Sequence, residues 1–169
     1  MRNLIRFAAI ILLVVVSASV NAQTLKFGHI DLQALIQVMP ERTTAETEFT
    51  KFQNELGDVY DELQKDYDTK MAEFESLGVD VSEVRRNEKV KDIQNITQRI
   101  QDFQQNSQVQ LQQKQTELMQ PIYDKAEAAI EEVAKEQGLI YVFEANSVLY
   151  KSNQSTDILP LVKQKLGIQ

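Results

Sequence analysis

His29 is the only histidine in the chain, and there is no cysteine anywhere to join it. A metal site needs several donors, and general acid–base catalysis needs a partner within hydrogen-bond reach. A lone imidazole inside the apolar stretch Leu25–Asp31 supplies neither, and reads as a structural residue. The carboxylates are many, but they lie along helix faces with no spacing that singles out a pair. No glycine-rich phosphate loop appears, so nucleotide-driven work has no support. No cofactor or metal is implied, and the chain is expected not to be an enzyme.

Two groupings have the residue types for binding instead. Arg85, Arg86, Lys89 and Lys91 outnumber Asp80, Glu83 and Glu88 locally, although residues 41–120 hold ten basic and seventeen acidic residues. One reading is a patch for anionic groups such as lipid heads or acidic protein segments. The other is i,i+4 pairing on a wet helix, which specifies nothing. Beside them, Phe74, Leu77, Val79, Val81 and Val84 either pack a turn or offer apolar contacts to a partner.

Charge and composition narrow the setting. The chain starts with Arg2 and Arg6, an apolar run from Phe7 to Val16, and Val20-Asn21-Ala22. That is a charged n-region, an h-region too short to span a bilayer, and small residues placed for cleavage. Residues 1–22 are therefore expected to be a signal peptide cut between Ala22 and Gln23, and the product to be exported and soluble. Without cysteine it is no lipoprotein signal. Removing two arginines leaves sixteen basic against twenty-five acidic residues, a net charge of −9. Such a surface disfavours nucleic acid, whose binding needs a basic footprint. Disulfide stapling is excluded with cysteine.

The elements that must position these groups are mostly helical. Five Gly, three Pro and no Trp, among abundant Gln, Glu, Lys and Leu, describe such a chain. Leu25–Asp31 alternates as one strand, with Leu25, Phe27 and His29 on one side and Lys26, Gly28 and Ile30 on the other. A short helical turn over Leu32–Val38 follows, and Pro40 suits the first turn of the next helix. From Glu41 to Ser76, Phe49, Phe52, Leu56, Val59, Leu63, Tyr67, Met71 and Phe74 recur every three or four residues. That is a narrow coiled-coil seam. Gly78 suits a left-handed helix end, and Asp80 or Ser82 the cap of a second helix.

This second helix is expected from about Glu83 to Gln137, ending at Gly138, with a seam through Ile93, Ile96, Ile100, Phe103, Ser107, Leu111, Leu118 and Ile122. Twelve of the twenty-two residues from Gln94 to Gln115 are Gln or Asn, yet the apolar spacing persists, so the run reads as a solvated helix face. Pro121 should remove a hydrogen bond and bend the helix. Leu139–Phe143 and Val148–Tyr150 around a polar turn read as a β-hairpin, and Ser152–Thr156 as a loop. Asp157 can cap a last helix that Gly167 ends.

The expected fold is α+β and mostly α. An antiparallel helical hairpin arm (41–137, tip near 77–84) projects from a small β-rich base (23–40 and 138–169). So small a base holds a marginal core alone, and a two-helix arm hides little apolar surface. The base is therefore expected to be completed by other subunits, with Leu25, Phe27, Ile30, Ile140, Val142, Val148 and Tyr150 as candidate oligomer contacts.

An ordered set of motifs carries a family likeness: Gly28-His29-Ile30-Asp31, Met39-Pro40-Glu41, Pro121-Ile122-Tyr123 leading to Ala129–Ala134, Tyr141–Asn146, and Val148-Leu149-Tyr150. In these the chain resembles the Skp/OmpH family of periplasmic chaperones. The resemblance implies a homotrimer, with strands from each protomer forming a central β-body and three arms around a cavity. It implies clients that are unfolded outer-membrane proteins, held without ATP; the best-known members also attract lipopolysaccharide with basic arms, and in this chain the basic residues at the tip are where lipopolysaccharide or a membrane surface would bind. An envelope adaptor or spacer that binds one folded partner is the alternative. Two departures stand out. The best-known members are basic where this chain is acidic, and Leu159-Pro160 replaces a Thr-containing cap before the last helix.

Overall fold

The computed structural model describes residues 25–168; the signal segment and its cleavage point at Ala22 and Gln23 lie outside the described residues. In order, the elements are β1 (Phe27–Ile30), α1 (Leu32–Val38), α2 (Pro40–Glu75), α3 (Glu83–Gln137), β2 (Tyr141–Glu144), a 3-10 turn (Ala145–Ser147), β3 (Thr156–Asp157) and α4 (Leu159–Lys165). It is an α+β fold dominated by one long helical hairpin.

Local chemistry sets the helix limits. Asp31 caps α1, its Oδ1 accepting from the Ala34 N–H at 2.8 Å. Pro40 opens α2, where an absent N–H is no loss. Ser82 caps α3, its Oγ accepting from the Arg85 N–H at 3.4 Å. Gly138, at φ 65°, ends α3 in the left-handed region that a side chain resists. Pro121 lies inside α3, which is assigned helical from Glu83 to Gln137.

One expected turn differs. Gly78 is not left-handed, because among the described residues only Gly138 and Gly167 have positive φ. Instead α2 closes right-handed at Ser76, whose N–H bonds back to the Ala72 carbonyl. The reversal is made by a turn in which the Val81 N–H donates to the Gly78 carbonyl at 3.3 Å. That bond fixes the turn without a left-handed residue.

The expected β-hairpin is absent as well. The sheet has the order β2-β1-β3, and both neighbours run parallel to β1. Phe27 pairs with Tyr141 and Ile30 with Glu144, while Gly28 and His29 pair with Thr156 and Asp157. Val148–Tyr150 is not a strand; the third strand joins Thr156, the end of the expected loop, to Asp157, the expected cap of the last helix, whose N-cap is instead Ile158. The physical reason is the hairpin arm itself. It returns the chain to the base beside β1, so β2 finds a partner already in place and needs no adjacent antiparallel strand.

One face of this sheet packs on the helices. Ile30, Leu35, Ile36, Met39, Ile158 and Val162 form the base core together with Ile122, Ala126, Ala129 and Val133 from the lower part of α3. Each large side chain buried this way contributes about 1.5–3 kcal/mol. Gly28 lets Leu139 pack close: a Cβ would stand 2.6 Å from Leu139 Cδ1, so that side chain would have to shift. Higher in the arm the seam is thin: Leu63 and Ile96 are buried, while Phe49, Phe52, Leu56 and Phe103 are half-buried.

Candidate functional site

Among the described residues, much of the outer face of the sheet and the tip of the arm are open to water. The outer face follows from strand alternation, because Gly28 and Ile30 turn toward the helices and Phe27 away from them. In parallel register, Tyr141 and Phe143 join Phe27. Its ring stacks on Tyr141 at 6.4 Å with planes 8° apart, and lies 6.3 Å from Phe143. Tyr141 and Phe143 are 6.0 Å apart. All three are exposed, as are Leu25, Ile140, Leu149 and Tyr150. Three stacked aromatics open to water form a sticky patch of the kind soluble proteins bury.

The candidate oligomer contacts are thus divided. Leu25, Phe27, Ile140 and Tyr150 are exposed, and Val148 is half-buried beside them in a shallow cavity with Phe143. Ile30, 3 % exposed, belongs to the protomer's own core, and Val142 packs against it from the same inner face. Tyr141 and Phe143, outside that candidate set, share the outer face with Phe27, and no local feature of the sequence gives their phase.

His29 also points outward, yet it is buried under the segment that follows β2. Its Nδ1 lies 2.8 Å from Ser155 Oγ and its Nε2 3.2 Å from Lys151 Nζ.

At the tip, Val79 is 95 % and Val84 79 % exposed, while Phe74, Leu77 and Val81 are half-buried in the turn. The five apolar candidates therefore divide into two that face water and three that pack. The basic group divides too. Lys89 bonds Glu73 of α2 at 2.6 Å. This contact, first as a hydrogen bond and then through charge, lowers the Glu73 pKa and raises that of Lys89. The Arg86 guanidinium lies over the Phe74 ring at 6.0 Å. Arg85 and Lys91 are exposed, with no ion-pair partner among the described residues.

Along the arm, Arg42, Lys51, Lys70, Lys89, Arg99 and Lys114 pair with acids of the arm itself. Six of the ten cations in residues 41–120 are thereby neutralised, so this part of the arm presents an anionic surface. One tie holds the arm to the base: Lys165 of α4 reaches Glu132 and Glu136 of α3, both at 2.8 Å, and lowers the Glu132 pKa. Lys125 of α3 bonds Glu41 of α2, joining the two arm helices at their foot, and lowers the Glu41 pKa likewise. Among the described residues no group of acids or histidines could hold a metal ion, and no helix is long and apolar enough to cross a membrane.

The family described as "Outer membrane protein (OmpH-like)" matches residues 26–166, nearly all of the described chain. The chain belongs to the OmpH-like family. Among solved structures, this OmpH-like chain is similar to one from Caulobacter crescentus CB15, a candidate outer membrane chaperone. The TM-score is 0.71 at 10 % identity, with 86 % of each chain covered. At that identity the likeness is one of fold. No curated protein matches the sequence.

Proposed function

We propose that this OmpH-like chain is an ATP-independent periplasmic holdase, which shields unfolded outer-membrane β-barrel proteins from aggregation before insertion. Unfolded barrel chains expose alternating apolar residues and unpaired strand edges, which associate in water. A projecting arm with apolar residues at its far end suits many weak contacts to such a chain. Release needs no fuel when folding into the membrane lies far downhill. The observation that carries the reading is the combination, in one member of this family, of a long arm exposing Val79 and Val84 with a base whose aromatic sheet face is open.

In this reading three copies assemble through the outer sheet faces, and their arms enclose a client. The number three comes from the family resemblance. Exposed Arg85 and Lys91 are where a membrane surface or lipopolysaccharide would engage the tip. Selectivity tests the reading against that of a dedicated adaptor. Titrated with several unrelated unfolded barrel proteins and with folded envelope proteins, the mature chain should bind the unfolded ones alike and ignore the folded ones. Saturable binding of a single folded protein, with no hold on unfolded barrels, would replace the holdase by the adaptor.

A further inference from the structure

We propose that a groove along the arm, between Gly57 of α2 and Ser107 of α3, takes a tyrosine side chain of the unfolded client, a proposal that rests on the holdase reading and deepens it. Gly57 points to the place. Gly28 lets Leu139 pack close, and Gly138 and Gly167 adopt positive φ, so each of these meets a need of the protomer. Gly57 meets none. It lies inside α2 without a positive φ, where glycine weakens a helix, and a Cβ there would meet nothing within 4 Å. The space it leaves is not filled by the protomer. Gly57 and Ser107 line one open cavity of about 420 Å³, walled by Leu56 and Tyr60 of α2 and by Phe103 and Leu111 of α3. Gln104 reaches across it, its Nε2 donating to Tyr60 Oη at 3.3 Å.

A second observation points to a ligand. The Ser107 Oγ is buried and has no hydrogen-bond partner among the described residues. Its neighbours on α3 solve the same problem locally: the Thr97 hydroxyl donates to the Ile93 carbonyl and that of Thr116 to the Gln112 carbonyl. Ser107 makes no such bond, and a buried hydroxyl left unpaired is costly. The chemistry of the lining selects what completes it. None of the lining residues is charged, and α3 carries no charge from Phe103 to Gln113, although the arm is anionic around it. An ionic side chain would lose water there and find no counter-ion, so the occupant is neutral. Two aromatic rings and two leucines favour a ring. Of the rings, a phenol brings a hydroxyl that both donates and accepts, which pairs the Ser107 Oγ; a phenyl ring leaves it orphaned. Outer-membrane barrels carry girdles of aromatic residues, so their unfolded chains expose tyrosines in number. A groove that reads one side-chain type, whatever the surrounding sequence, suits a holder of many clients.

Titration of the mature protein with N-acetyl-tyrosinamide, followed by amide and methyl shifts, tests it. Shifts should gather at 56–60 and 103–111 and saturate, and N-acetyl-phenylalaninamide should bind about fivefold more weakly for want of one hydrogen bond. Ser107→Ala should bring the two ligands level by weakening the tyrosine one alone. Gly57→Leu, at an exposed helical position, should fill the groove and abolish both responses with helical content unchanged. Holding of an unfolded barrel protein by the wild type is measured alongside. Holding without groove shifts, shifts that survive Gly57→Leu, or a tyrosine preference that survives Ser107→Ala would each overturn the groove and spare the holdase. Groove shifts that follow protein concentration without ligand would give the groove to a second copy of the chain and overturn the proposal. Groove shifts without any holding would strike the holdase reading, and with it the client as occupant.

Discussion

Lys89 of α3 reaches across the end of the hairpin to Glu73 of α2 at 2.6 Å, so part of the apparent basic patch at the tip serves to close the arm on itself. With Arg86 over Phe74, the tip offers partners Val79, Val84, Arg85 and Lys91. Val79→Asp and Val84→Asp should leave stability within about 0.5 kcal/mol, because both side chains face water. Holding of unfolded clients should fall several-fold, as read from aggregation kinetics beside thermal melts. Unchanged holding in the double variant would move client contact to the arm faces. As the arm is anionic overall, holding should also be insensitive to added salt or improve with it.

The two faces of the sheet should respond in opposite ways. Ile30→Ala, in the protomer core, should cost about 2–5 kcal/mol and weaken the fold itself. Tyr141→Ser on the outer face should leave the helical content intact and lower the native mass measured by light scattering or mass spectrometry. A Tyr141→Ser protein of unaltered native mass would remove that face from assembly.

Which of these features the sequence shows, and which it hides, has a physical basis. The arm is legible because its limits and its seam agree, even though Gly78 misleads at the turn: Pro40 opens it, Ser82 caps its second helix, Gly138 stops it, and the seam keeps its spacing in between. The sheet is not. A third strand of two residues, Thr156–Asp157, is too short to show a period, whereas the apolar Val148–Tyr150 looks like a strand and is exposed surface. Pairing of β1 with β2 joins residues 114 apart, and nothing local marks it as parallel. The same gap divides the candidate site. Phe27 was visible as an outward residue, but the phase of Tyr141 and Phe143 depends on which face the distant β1 turns inward.

Two glycines should behave differently when replaced. Gly57 lies in the helical interior of α2, and a Cβ there meets nothing within 4 Å. Gly57→Ala should stabilise the arm by about 0.5–1 kcal/mol and slow amide exchange around it. Gly28→Ala would drive its Cβ into Leu139 and should destabilise the base by about 1–3 kcal/mol. In the wild type, exchange should be faster along the arm than in the base, since the arm buries less.

Acid should loosen the tie between α4 and α3. Lys165 holds the Glu132 carboxyl below its ordinary value of 4.5. A carboxylate with a lowered folded pKa adds stability above the unfolded value, and that stability is lost as pH falls through the folded one. The loss therefore belongs below pH 4.5. Thermal melts of wild type and Glu132→Gln should differ at neutral pH and converge in strong acid; a constant difference would separate the pair from the pH response.

Whether this OmpH-like chain keeps unfolded barrel proteins from aggregating is read without intermediary by light scattering. A urea-unfolded outer-membrane β-barrel protein is diluted into buffer containing residues 23–169. Scattering should be suppressed, and suppression should be complete near one trimer per client. Undiminished aggregation at excess protein would contradict it, and would leave the family fold in the service of a dedicated adaptor.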